Sequence, residues 1–77
     1  MKTTVKQQEL TSLIDRNLQN YAIQMHKLNQ YQGSYSAQSF AQHIHELVSV
    51  LDNTQYYAQE LEEESYKVAE KEAGQYA

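Results

Sequence analysis

Residues 37–68, AQSFAQHIHELVSVLDNTQYYAQELEEESYKV, carry the reading that decides the fold. Ala37, Phe40, Ile44, Leu47, Leu51, Thr54, Ala58, Leu61, Ser65 and Val68 follow one another at alternating steps of three and four. That spacing returns side chains to one stripe of a helix roughly every 3.5 residues, which is the heptad pattern for packing helix on helix. Neither proline nor glycine interrupts it. The seam is bulky from Phe40 to Leu51 and then holds Thr54, Ala58 and Ser65. Small and polar seam positions cost stability, so the later turns are expected to fray or to wait for a partner.

Upstream of this segment, Ser36 is placed as an N-cap, with Tyr35 and Phe40 spaced as a hydrophobic staple. Gln32-Gly33-Ser34-Tyr35-Ser36 is the one convincing break in the chain. Before the break, Leu10, Ile14, Leu18, Tyr21, Met25 and Leu28 recur at helical spacing. Thr4 followed by Gln7 fits a capping box at the start, and Gly33 stands where a helix C-terminus favours a left-handed residue. Gly74 is placed to end the second helix. The expectation is therefore a single all-α domain over residues 1–77: a helix over about 4–31, a turn at 32–36 and a helix over about 37–72. So short a connection makes the helices antiparallel neighbours, a two-helix hairpin. At 1.5 Å per residue they measure roughly 40 and roughly 55 Å, so the second overhangs the first by about two to three turns. Two helices alone leave half of each stripe wet, and pairing hairpins into a four-helix bundle covers both.

Composition supports that reading. A chain of 77 residues buries little of its surface alone, and small domains usually gain stability from disulfides, a metal or a partner chain. With no cysteine, disulfides and thiolate metal sites are excluded, which points to a homodimer or a second helical protein. The formal net charge is −4, unevenly spread: residues 1–33 carry four basic and two acidic side chains, and residues 34–77 carry two basic and eight acidic ones. An acidic chain without a basic cluster is poorly suited to gripping phosphates, so nucleic acid is not expected as a partner. The alternative is a small dimeric regulator binding nucleic acid through Lys2, Lys6, Arg16 and Lys27 on paired first helices. No apolar run approaches the roughly 20 residues that span a bilayer, and no signal-peptide pattern opens the chain. Membrane insertion is not expected, and the chain reads as cytoplasmic, or exported without a cleavable signal.

Residues that could carry chemistry are few. His43 and His45 are two apart and point to different faces, whereas His43 and Glu46 share a face that His26 could approach across the hairpin. Without the redundancy of a strong metal signature, solvated histidines are the expected outcome and a metal site the alternative. Glu60, Glu62, Glu63 and Glu64 read as a solvated face rather than an acid–base pair in a cleft. There is no Gly-rich phosphate loop, nucleophile elbow or cysteine nucleophile, so neither an enzyme nor a cofactor is expected. The seven tyrosines are more suggestive. Tyr21 falls in the first seam, Tyr31 and Tyr35 flank the turn, and Tyr56, Tyr57, Tyr66 and Tyr76 are assigned to the acidic overhang. Tyrosine suits an interface because one end is apolar and the other wet. A non-enzymatic interaction module is the reading these features favour. Its interface would comprise Leu10, Ile14, Leu18, Tyr21, Met25, Leu28, Phe40, Ile44, Leu47, Leu51 and Leu61, with Tyr56, Tyr57 and Tyr66 as anchors.

Tyr31-Gln32-Gly33 at the turn, followed by Tyr56 to Glu60 and Tyr66 to Glu70, resembles the WXG family of ESX-type (type VII) secreted helical hairpins. That family carries Trp-x-Gly at its turn and a Tyr-x-x-x-Asp/Glu signal after the second helix; here tyrosine stands in place of the tryptophan. The resemblance implies a secreted or secretion-coupled partner protein, with Tyr66 and Glu70 read by the export machinery. Leu18-Gln19-Asn20-Tyr21 through Lys27-Leu28-Asn29-Gln30-Tyr31 is also similar to the start of the Dps branch of the ferritin-like proteins. That resemblance implies a metal-binding ferritin-like fragment, but Gln32 stands where the family places an iron-ligating histidine.

Overall fold

The computed structural model describes residues 3–30 and 36–75, with the side chain of Gln75 excepted. They form two helices, α1 (Val5–Gln30) and α2 (Ala37–Gln75), packed antiparallel in a rod of 62 × 16 × 14 Å. No strand occurs among the described residues. The turn residues Tyr31, Gln32, Gly33, Ser34 and Tyr35 lie outside the described residues, as do Lys2 and Tyr76, so the turn motif and the staple are not placed.

Both helix starts form as their caps dictate. The Thr4 N–H donates to Gln7 Oε1 at 2.8 Å and the Gln7 N–H donates to Thr4 Oγ1 at 3.1 Å, closing the reciprocal capping box. At α2, the Ser39 N–H donates to Ser36 Oγ at 3.2 Å while the Phe40 N–H takes the Ser36 carbonyl. The far end of α2 differs from expectation: the helix runs through Gly74 to Gln75. A Cβ added at Gly74 would meet nothing within 4 Å, so no packing demand forces a stop there.

The register is set near the open end of the hairpin. Gln7 is 3% exposed, and its Nε2 donates across to Ser65 Oγ at 3.1 Å. The Ser65 hydroxyl in turn donates to the Leu61 carbonyl at 2.7 Å, so both polar groups are satisfied in place. Beside this pair, Lys6 Nζ lies 3.6 Å from a carboxylate oxygen of Glu64. The first residues of α1 are therefore level with residues 64–68 of α2, and only the last two turns or so of α2 project beyond α1. Tyr56, Tyr57 and Tyr66 accordingly lie alongside α1 and not on the overhang to which the sequence pattern assigned them. The glutamate run is not uniformly solvated either: Glu60 and Glu64 are half-buried, because the helical period turns them towards α1, while Glu62 and Glu63 face solvent.

Candidate helix-docking face

The residues that meet between the helices are the least exposed ones. On α1 they are Gln7, Leu10, Ile14, Asn17, Tyr21, Gln24 and Leu28; on α2 they are Ser39, His43, Leu47, Val50, Thr54, Tyr57, Leu61, Glu64, Ser65 and Val68, with Leu13, Met25 and Glu60 half-buried at the margins. Each line alternates steps of three and four for most of its length, as a two-helix seam requires. Its composition is unusual, since almost half of its members are polar. Leu10 and Leu47 are the buried hydrophobic side chains among the described residues, at 8% and 7% exposure, and neither is fully enclosed. Thr54 sits on the line by donating its hydroxyl to the Val50 carbonyl at 2.8 Å. Asn17 Nδ2 is buried there without a hydrogen-bond partner.

The bulkier part of the sequence seam lies to one side of this line. Leu18, Phe40, Ile44, Val48 and Leu51 all stay exposed, with Leu18, Phe40 and Leu51 each close to half accessible. Ala37 and Ala58 are exposed as well, and Met25 is half-buried. The apolar stripe of each helix is wider than one partner helix covers, and the hairpin packs along one edge of it. At about 100° per residue, Leu18 and Met25 stand roughly 50–70° round α1 from its contact line, and Phe40, Ile44 and Leu51 roughly 65–105° round α2 in the same sense. Because the helices are antiparallel, the same sense of rotation brings both sets to the same side of the hairpin. That side is one continuous apolar face. The opposite side carries Asn20, Lys27, Gln42, Glu46, Ser49 and Asn53, with Leu13 as a half-buried apolar residue among them.

Of the residues singled out from the sequence, Leu10, Ile14, Tyr21, Leu28, Leu47, Tyr57 and Leu61 thus line the hairpin seam, and Leu18, Met25, Phe40, Ile44 and Leu51 form or border the exposed face. Tyr56 and Tyr66 face solvent, and the Tyr56 ring meets the edge of Tyr57 at a centroid distance of 5.6 Å. Val50, Asn17, Gln24 and His43 are contact-line residues that the apolar pattern passes over.

The surface depressions are shallow. One on α1 is lined by Val5, Gln8, Glu9, Ser12, Leu13 and Arg16, and one on α2 by Gln38, Ala41, Gln42, His45 and Glu46. Among the described residues no three His, Cys, Asp or Glu side chains cluster so as to hold a metal ion: His26 and His45 face solvent, and His43 lies in the seam. Of the basic residues considered for nucleic acid, Lys6 is engaged with Glu64 and Arg16 shares its groove with Glu9. No helix among the described residues is long and apolar enough to cross a membrane. Comparison with protein-family models, curated proteins and solved structures returned no match.

Proposed function

We propose that this protein is a non-enzymatic helix-binding module, whose hairpin offers one apolar face to a further helical surface and completes a four-helix bundle with it. One observation carries the reading: Phe40, Ile44 and Leu51 of the heptad seam and Leu18 of α1 stand exposed on one side, while almost half of the hairpin's own seam is polar. A face of Leu18, Phe40, Ile44 and Leu51 presents on the order of 350 Å² of apolar residue surface, comparable with the functional patches of other small proteins. Covering it removes that area from water at roughly 25 cal/mol per Å², a large stabilisation for a chain that buries so little alone.

The test is a pair of substitutions. Leu51→Asp places a charge on the exposed face, where the isolated hairpin tolerates it and a bundle does not. Ile23→Asp places one on the outward side of α1, at a residue of similar exposure and away from the face. The expected result is loss of association, and of the helicity that depends on it, for Leu51→Asp alone. Equal behaviour of the two variants and the parent chain, in both native mass and helicity, overturns the proposal.

A secretion-coupled role is the second reading, and the placement of the Tyr-x-x-x-Glu pair favours it. Tyr66 is 65% exposed and Glu70 follows it one turn later, also exposed, near the projecting end of α2. A receptor could read both without disturbing the apolar face. Export from the source cell that survives Tyr66→Ala with Glu70→Ala eliminates this signal.

A further inference from the structure

We infer that the occupant of the apolar face is a second copy of this chain, turned end for end, so that the two turns lie at opposite ends of the bundle. The inference rests on the helix-binding reading and adds the partner and its orientation.

Position along the rod argues for a copy. The strip on α2 runs from Phe40 to Ala58, with its middle near residue 49, and the strip on α1 runs from Leu18 to Met25, with its middle near residue 21 or 22. The Gln7–Ser65 and Lys6–Glu64 contacts place residue 20 of α1 level with about residue 51 of α2, so the two strips are centred at nearly the same height. A two-fold axis through that height, lying in the face and crossing the helices, superposes the whole face on its copy. Such a self-complementary pairing is the usual form of a homodimer. It sets a large side chain over a small one where Phe40 comes level with Ala58 of the other copy.

Area bounds the strength. The α2 strip is roughly 27 Å long at 1.5 Å per residue, and the hairpin is 16 Å wide. A copy covering the strip occupies a footprint of roughly 430 Å² on each chain, about half that of a standard stable interface, so the dimer is expected to dissociate on dilution.

Charge selects the orientation. Residues 60–72 hold six glutamates and two lysines. A bundle with both turns at one end sets the two acidic ends side by side. Turned end for end, the two Tyr66 positions lie roughly 50 Å apart along the axis, far beyond the Debye length of about 8–10 Å.

The experiment combines light scattering on a sizing column with distances between spin labels. The chain has no cysteine, so Gln38→Cys and, separately, Glu63→Cys label each protomer once at an exposed site off the face. The expected result is twice the 9.0 kDa chain mass, with label separations of roughly 30 Å for position 38 and roughly 40 Å for position 63. A dimer with its turns together has its two-fold axis along the rod, which leaves no axial offset, so equal separations at the two positions overturn the inference. A monomer at every concentration also overturns it. The helix-binding reading has its own readout in that case. It still stands if the monomer is weakly helical and gains helicity with another helical protein, and it falls if the monomer is stably helical and indifferent to Leu51→Asp.

Discussion

Replacing Gln7 with alanine should destabilise the protein more than any other exchange of a polar side chain, although no apolar contact is its main role. Gln7 is the most buried polar residue among those described, at 3% exposure, and its amide does two jobs at once. Its Oε1 accepts the Thr4 N–H, and its Nε2 donates to Ser65 across the hairpin. Losing half of a capping box costs about 1 kcal/mol. Losing a buried neutral hydrogen bond between helices costs about 1 kcal/mol more. Truncation at so buried a site adds a smaller packing term, for a total of about 2–3 kcal/mol. In a domain of this size each kcal/mol moves the melting temperature by about 4–8 °C, so a fall of about 10–20 °C is expected. Far-ultraviolet circular dichroism during heating measures it, with all variants at one chain concentration because association would raise apparent stability. Gln8→Ala is the control: Gln8 is exposed, bonds only the preceding turn through Thr3, and should cost under about 0.5 kcal/mol. A double-mutant cycle of Gln7→Ala with Ser65→Ala should return about 1 kcal/mol of coupling. If Gln7→Ala melts within about 2 °C of the parent chain, the reasoning that this amide fixes the register is refuted.

Three further outcomes follow from the same contacts, each read by the same thermal melt. Asn17→Leu should raise the melting temperature, because it removes a buried amide nitrogen that lacks a partner and puts an apolar side chain into the seam, a gain of about 1 kcal/mol or more. Ser36→Ala removes the oxygen that accepts the Ser39 N–H and should cost about 1 kcal/mol, with fraying confined to the start of α2. Gly74→Ala lies inside α2 with open space around its Cβ and should stabilise the projecting end by about 0.5–1 kcal/mol, visible as added helicity with little change in the main transition.

What the sequence made legible was local. Thr4 with Gln7, and Ser36 before its helix, are read correctly because a cap needs only residues three apart. The two helices follow from unbroken periodic stretches, and the antiparallel hairpin follows from one short break. The edge of the apolar stripe that would face inward was not legible. Leu18, Phe40, Ile44 and Leu51 fit a seam by spacing as well as Asn17, His43 and Val50 do by geometry, and the stripe is broad enough for either choice. The choice is made by pairs far apart in sequence, of which Gln7 with Ser65 is the clearest, and no period within one helix encodes such a pair. The placement of Tyr57 fails for the same reason: its height relative to α1 depends on the register. Gly74 misleads differently, since a glycine is permitted at a helix end without being confined to one.

The division of labour between the two sides of α1 and α2 gives the molecule its logic. A seam of leucines alone would hold these helices in several registers of nearly equal energy, because apolar contacts carry little direction. Polar contacts are directional, and a shift by one turn would part Gln7 from Ser65 and Lys6 from Glu64, leaving the Gln7 amide short of partners in a buried site. The polar line therefore specifies one hairpin at some expense of stability, as single polar residues do in coiled coils. The side chains able to supply that stability are held on the adjoining face, where they act only once something covers them. On the proposed pairing, register is decided within one chain and stability between chains, so association should deepen the folding transition without redirecting it.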